Sequence, residues 1–225
     1  MEKRQSTPSV GQLLQRLGNE KTMRERFDAC ARVNKHGAVE ILHQLISDEV
    51  NKRGREVILS PELAVIENKV ADWLLGTGKP WLMLCGNVGD GKTTVLNAIQ
   101  RFITLYDIEK PARGGRLSEY WRMSIVQANE YARAYVGKLD MVCYYENCDI
   151  LGLDDMGAEP AETLVYGNPT YPIIDLLLAR YARDKQVVIT TNLKANEIRP
   201  RYGDRIADRL NEMCERVIFP INSYR

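Results

Sequence analysis

Trp81-Leu-Met-Leu-Cys85, followed by Gly86-Asn87-Val88-Gly89-Asp90-Gly91-Lys92-Thr93-Thr94, decides how the rest of the 225-residue chain is read. The unbroken apolar run predicts a short strand covered on both faces, as in a parallel sheet. The segment behind it fits G-x-x-x-x-G-K-[ST], and the residues from Lys92 to Leu105 carry helical periodicity. Strand, glycine-rich turn and helix in that order make an anion cradle. The glycines let backbone N–H groups turn inward, and the helix directs its positive end to the same point. On this reading Gly86, Asn87, Val88, Gly89, Asp90, Gly91, Lys92, Thr93 and Thr94 hold the phosphates of ATP. Lys92 reaches the β- and γ-phosphates, and Thr93 offers its hydroxyl to Mg²⁺.

Such a cradle needs an acid at the tip of a neighbouring strand. Ile150-Leu-Gly-Leu153-Asp154-Asp155 supplies two. Asp154 is the expected Mg²⁺ partner and Asp155 the base that orients the attacking water, although two acids ending a strand can also be a polar turn. Thr190-Thr191-Asn192 closes a further strand, so Asn192 stands at the carboxyl edge of the sheet, where ligands of open α/β folds collect. Its amide can bond both the γ-phosphate and the water.

Outward from these motifs the chain alternates strand and helix. Ser60-Pro61 caps and starts a helix through Leu75. Strands are predicted at Met123 to Val126, Ile150 to Leu153, Val187 to Thr191 and Val217 to Phe219. Helices are predicted at Asn129 to Val136, Pro172 to Arg183 and Arg205 to Cys214. The pattern implies an α/β fold with a parallel sheet and right-handed crossovers. Residues 1–56 carry helical stripes only (Val10, Leu13, Leu14, Leu17, then Ile41, Leu42, Leu45, Ile46), and 57–225 form the α/β core. The stripes either pack on that core or dock a partner.

Composition excludes several classes. With 44 % hydrophobic and 27 % charged residues, the chain buries a real core and is not disordered. Lys plus Arg (31) against Asp plus Glu (30) leaves a net charge of +1, so no global field steers the protein to phosphate. No apolar run approaches the roughly 20 residues of a membrane span, and no apolar segment follows the basic N-terminus. A cytoplasmic location is the expectation. The five cysteines form no C-x-x-C pair, and Cys30, His36 and His43 match no zinc spacing. One local stretch, Lys110-Pro-Ala-Arg113-Gly-Gly-Arg116-Leu-Ser-Glu-Tyr120-Trp121-Arg122, mixes basic residues, aromatics and glycines as single-stranded DNA binders do. Alternatively, it is a solvated loop that feeds its aromatics into the core.

From about Trp81 to Arg225 the chain resembles the AAA+ ATPases, and within them the DnaC-type helicase loaders and their IstB-type transposition-helper relatives. The phosphate loop, Leu151-Gly-Leu-Asp-Asp-Met-Gly157, Ile173-Ile-Asp-Leu-Leu-Leu-Ala-Arg-Tyr181, Val188-Ile-Thr-Thr-Asn-Leu193, Tyr202-Gly-Asp-Arg-Ile-Ala-Asp-Arg-Leu210 and Asn222-Ser-Tyr-Arg225 carry the resemblance. It implies a five-stranded parallel sheet of order 5-1-4-3-2 with helices on both faces and, as in the loader branch, no helical lid. It further implies self-assembly with ATP between subunits, on single-stranded DNA, beside a replicative helicase or a transposase. Arg209 is then the arginine that reaches a neighbour's γ-phosphate, with Arg205 beside it on one helical face, and Arg225 the sensor arginine that closes the ATPase core. A surface helix laced by Asp204 and Asp208 is the alternative for both helical arginines. Two features depart from the family pattern. Asp154-Asp155 stands where most members have Asp-Glu, and residues 1–56 carry no loader-like zinc or coiled-coil signature. A nucleotide-controlled adaptor with little turnover and a P-loop kinase are the competing readings, the kinase disfavoured by the lack of a lid arginine cluster.

Overall fold

A computed structural model describes residues 26–58, 60–110 and 119–219. The first predicted stripe (Val10 to Leu17), Arg113, Arg116, the Asn222–Arg225 motif and Arg225 itself lie outside the described residues.

The first described helix, α1 (Lys35–Asn51), starts where the Asn34 side chain accepts the Gly37 N–H at 2.9 Å. In α2 (Pro61–Leu74) the expected cap is present, Ser60 Oγ accepting from the Leu63 N–H with Pro61 in the first turn. Then follow β1 (Trp81–Cys85), α3 (Lys92–Tyr106), β2 (Met123–Gln127), α4 (Ala128–Ala134), α5 (Leu139–Asn147), β3 (Ile150–Met156), β4 (Thr163–Val165), β5 (Asn168–Thr170), α6 (Pro172–Ala182), β6 (Gln186–Thr191), α7 (Ala195–Met213) and β7 (Cys214–Ile218).

The main sheet has the order β2-β3-β6-β1-β7, every pairing parallel. Counted along this sheet alone, that is the expected 5-1-4-3-2. Alternate residues of each strand feed opposite layers. Leu82, Leu84, Ile150, Val188 and Val217 join a core with α1, α2 and α3, whereas Trp81, Met83, Leu151, Leu153 and Ile189 join one with α4, α6 and α7. Burial on both faces explains the unbroken apolar strands. Among the described residues no helix is long and apolar enough to cross a membrane.

Three elements differ from the sequence reading. Helix α5 was not expected, because a single buried position, Val142, leaves almost no apolar stripe to detect. The β4–β5 hairpin was also missed. Its two-residue turn, Tyr166-Gly167, has positive φ at both positions (50° and 81°), and Tyr rarely signals such a turn. Helix α7 begins at Ala195, ten residues ahead of the expected Arg205, because a first helical segment containing Pro200 precedes a kink at Gly203, whose φ of 79° and ψ of 170° are not helical. The expected helix is the segment after that kink.

The second N-terminal stripe packs inward. Leu42 is fully buried and, with Leu45 and Ile46, shares a core with Val95, Leu96, Ile99 and Phe102 of α3. Arg101 of α3 pairs with Asp48 at 3.1 Å and Glu49 at 3.0 Å of α1. Further back, the Phe27 N–H donates to Gln186 Oε1 at 2.6 Å, and the Phe27 ring meets Trp121 edge-on at 6.5 Å. Because this packing is continuous with the sheet, Leu42→Ala should lower unfolding free energy by about 3 kcal/mol. Denaturant unfolding should shift as one transition. An early, separate loss of α1 would show that it packs independently.

Candidate nucleotide site

The loop between β1 and α3 is shaped by backbone demands. Gly89 and Gly91 have φ of 92° and 88°, the left-handed region that costs other residues strain. At Gly86 a Cβ would lie 2.7 Å from Phe219 Cβ and 2.9 Å from Asp90 Oδ2, so no side chain fits. Asp90 is buried and braces the loop, its Oδ2 accepting the Asn87 N–H at 2.6 Å. Gly91 caps α3 without a side-chain bond, and the first turn carries no acid, which leaves the helix's positive end uncompensated.

Lys92 lies under the loop. Its Nζ donates to the carbonyls of Gly86 at 3.0 Å and Asn87 at 2.5 Å, which leaves one of its three donors for an incoming phosphate oxygen. Burial lowers its pKa, and Asp90 and Asp155 oppose that shift. Val88 is the exposed tip of the loop.

The acids sit at a break in register. Leu153 faces Ile189 and Met156 faces Thr191, so Asp154 and Asp155 together oppose the single residue Thr190. This is a β-bulge. Thr190, fully buried, closes it from both sides, donating to Asp154 Oδ1 at 2.6 Å and accepting the Asp155 N–H at 2.8 Å. Asp155 takes φ 55° there, a conformation Asp tolerates better than most residues. Asp154 is consequently buried, and Thr93 Oγ1 donates to its two oxygens at 3.0 and 3.3 Å. Asp155 stays half-exposed, with its pKa raised by burial and by Asp154, against the pull of Lys92.

A parallel 5-1-4-3-2 sheet with a glycine-rich loop after β1, a hydroxyl–carboxylate contact behind the loop and acids on β3, across β6 from β1, fixes the architecture. This is the AAA+ fold. Neither a protein-family model nor a curated sequence matches the chain. Solved structures do. The crystal structure of DnaI superposes with a TM-score of 0.57 at 17 % identity, over 80 % of this chain and 93 % of that one. A primosome component assigned as such in Streptococcus pyogenes serotype M3 gives 0.56 at 13 %, over 90 % and 96 %. The replication initiator DnaA bound to AMPPCP and single-stranded DNA gives 0.54 at 20 %, over 74 % and 49 %. The chain thus spans about half the length of the DnaA proteins it matches, including the one from Aquifex aeolicus. At these identities the likeness is one of fold, and the expected fold resemblance holds.

Within the AAA+ core, Asn192 is exposed immediately after β6. Its strand end is fixed by Thr191 Oγ1, which donates to the Met156 carbonyl at 2.6 Å and accepts the Leu193 N–H at 3.1 Å. A cavity of about 140 Å³ opens beside the loop, with Val57, Leu63, Ile66 and Phe219 on its apolar side and Gly89, Asp90, Gly91 and Thr94 on the other. Thr93 and Asp154 offer hard oxygen donors suited to Mg²⁺. Among the described residues no group of three or more His, Cys, Asp or Glu could hold a metal, so these two fit an ion that takes its remaining ligands from phosphate and water.

Arg209 and Arg205 lie on α7. The Arg209 guanidinium stacks over the Tyr181 ring at 4.2 Å and pairs with Glu212 at 3.1 Å, and the Tyr181 hydroxyl donates to the same carboxylate at 3.2 Å. Arg205 is exposed. Asp204 and Asp208, expected as partners of these arginines, pair with Arg199. Among the described residues no hydrogen bond, ion pair or cation–π contact joins Arg205 or Arg209 to the glycine-rich loop of their own chain.

The described ends of the basic stretch, Lys110 and residues 119–122, are engaged within the chain. Trp121 is a core residue. Lys110 pairs with Asp149 at 2.8 Å and Glu119 at 3.1 Å, and Arg122 pairs with Asp107 at 2.8 Å and lies over Tyr120.

Sequence reasoning missed Thr190 as a site residue. A threonine inside an apolar strand gives no sign of its partners, but its place two residues before Asn192 was a usable signal. Thr190→Val should cost about 1–3 kcal/mol of stability, because it removes the shorter of two hydroxyl bonds to a buried carboxylate oxygen and leaves the Asp155 N–H without its acceptor. Thr190→Ser should recover most of it in denaturant unfolding. For Asp155 the folded pKa is raised, so its charged form penalises the fold fully above that pKa and not at all below the ordinary aspartate value of 3.8. Asp155→Asn should therefore stabilise the nucleotide-free protein at neutral pH. The pH-dependent part of that gain should fade as the pH falls toward the ordinary value, as read from melting temperature against pH.

Proposed function

We propose that the chain is a replication-type ATPase that binds ATP and Mg²⁺, assembles on single-stranded DNA and loads or remodels a replicative helicase. The observation that carries this reading is the meeting of Thr93, Asp154 and Thr190 on one carboxylate beside Lys92. Support for the replication setting comes from the fold shared with DnaI, a primosome component and DnaA, one DnaA structure holding AMPPCP and single-stranded DNA.

In this mechanism the inward amides around Gly89 and Gly91 and the uncapped end of α3 receive the phosphates, and the spare Lys92 donor takes a β- or γ-oxygen. Thr93 and Asp154 hold Mg²⁺, which when bound neutralises charge on the phosphoryl oxygens. Asp155 accepts a proton from the attacking water, and a pKa raised from the ordinary aspartate value by burial and by Asp154 makes it a stronger base than a free aspartate. Asn192 orients water and γ-phosphate. Arg209, with Arg205 beside it, completes a neighbour's site, and Arg225 is assigned to the same nucleotide. The apolar cavity accommodates the base.

An IstB-like transposition helper ATPase is one alternative, and a nucleotide-controlled adaptor with little turnover is another, which draws on Asp155. Its arm is one methylene shorter than the glutamate usual there, and it starts from a left-handed backbone.

Lys92→Ala should abolish high-affinity ATP binding, whereas Asp155→Asn should bind ATP and lose turnover. Mixed Lys92→Ala and Arg209→Ala subunits, each inactive alone, should regain partial activity with single-stranded DNA present. Equilibrium binding and phosphate release test all three outcomes. Binding without turnover in the parent chain, with or without DNA, selects the adaptor.

A further inference from the structure

We infer that Arg53, at the end of α1, is a cation of the nucleotide site and contacts the α-phosphate of a bound nucleoside di- or triphosphate. The inference rests on the nucleotide reading above and adds a residue from outside the phosphate-loop segment.

Helices α1 and α3 run antiparallel. Arg101, far along α3, reaches back to Asp48, Glu49 and the Leu45 carbonyl, while Arg53 Nη1 donates to Thr94 Oγ1 at 3.2 Å in the first turn of α3. The turn that ends α1 sets this position. The Arg53 N–H bonds the Val50 carbonyl at 3.0 Å, the Gly54 N–H bonds that of Asn51 at 2.9 Å, and Gly54 takes φ 70° to leave the helix. Its guanidinium is therefore delivered to the opening of the phosphate loop, where it borders the same cavity as Gly89, Asp90, Gly91 and Thr94.

Arg53 has no carboxylate partner among the described residues, unlike Arg101, Arg201 and Arg209. It stands instead at the positive end of α3, where the cap is glycine, the first turn holds no acid and Lys92 is already present. A cation beside a helix N-terminus is a like-signed arrangement. The one carboxylate in the loop, Asp90, offsets this only in part, since its single charge is shared with Lys92 and the helix end and its Oδ2 is engaged by the Asn87 N–H. An anion between Arg53 and the Thr94 turn removes the conflict.

Geometry selects which phosphate. Lys92 Nζ sits under Gly86 and Asn87, on the side of the acids, whereas Arg53 and Thr94 border the apolar cavity that suits a base. The phosphate nearest the base is the α-phosphate, common to ADP and ATP. Arg53 therefore strengthens both nucleotides alike, and it makes the end of α1 part of what nucleotide binding orders.

Equilibrium binding of ADP and of ATP to the full chain tests this, with Arg53→Ala and Arg53→Lys beside the parent. Arg53→Ala should weaken both nucleotides together by about ten-fold, the scale of a lost charge-assisted bond. Arg53→Lys should recover part of the loss. Unfolding of the nucleotide-free protein should be unchanged or slightly strengthened in Arg53→Ala. ADP and ATP affinities within two-fold of the parent overturn the inference. So does a loss matched by a fall in nucleotide-free stability with Arg53→Lys no better than Arg53→Ala, which assigns Arg53 to tethering α1. A parent chain that binds neither nucleotide overturns the nucleotide reading itself, and this inference with it.

Discussion

The Asp154 carboxylate is the point on which the site depends. It accepts hydrogen bonds from Thr93, 61 residues earlier, and from Thr190, 36 residues later, so α3, β3 and β6 are tied at a single group. A buried carboxylate without partners is costly, and here it has donors from two directions. The bulge at Asp154-Asp155 makes the arrangement possible. In an unbroken strand, successive side chains alternate between faces. The extra residue lets Asp154 turn inward to the two threonines while Asp155, at positive φ, emerges toward the loop. The same hydroxyl of Thr190 serves both acids, so their separation is fixed before any ligand arrives. Such preorganisation is what electrostatic catalysis requires.

The phosphate loop likewise depends on neighbours outside its motif. Asp90 holds Asn87 from within, Phe219 crowds Gly86 from beyond β7, and α1 lies along α3 through apolar contacts and the Arg101 pairs. Exposed pairs of this kind are each worth less than about 1 kcal/mol, so the apolar seam around Leu42 and Phe102 fixes α1 and the ion pairs set its register. Any shift in α1 is thereby felt at the first turn of α3. The structural link between residues N-terminal to the core and the nucleotide site is contact, not proximity in sequence.

Much of this was legible in the sequence. The strand–loop–helix setting of Lys92 and the placement of Asp154, Asp155 and Asn192 at one sheet edge followed from unbroken apolar runs and from spacing, because local rules dominate there, whereas the strand order came from the family resemblance. What escaped depends on other signals. Helix α5 buries one side chain, the Tyr166-Gly167 turn lacks the usual Asn or Asp, and the part of α7 ahead of the Gly203 kink contains Pro200, a residue that normally breaks a helix. The partners of Thr190 and Arg53 lie tens of residues away, and no periodicity encodes them. Trp121 shows the converse. Composition left it open between stacking on bases and feeding the core, and its packing against Phe27 makes it core.

Arg209 ties these strands of argument together. In the single chain its guanidinium is closed in a triad, stacked on Tyr181 and paired with Glu212, which the Tyr181 hydroxyl also holds. An exposed cation–π contact contributes about 0.5–1 kcal/mol and a surface ion pair no more than about 1 kcal/mol. An arginine acting on a transferring phosphoryl group is worth on the order of 10³-fold in rate, or about 4 kcal/mol. The local contacts are therefore too weak to lock Arg209 away from a neighbour's γ-phosphate, yet strong enough to limit its conformers. A long side chain already ordered on a rigid helix loses less entropy when it meets its target. On the proposed function the surface ion pair and the trans arginine are successive states of one residue, and the triad with Tyr181 and Glu212 is what holds Arg209 in the single chain.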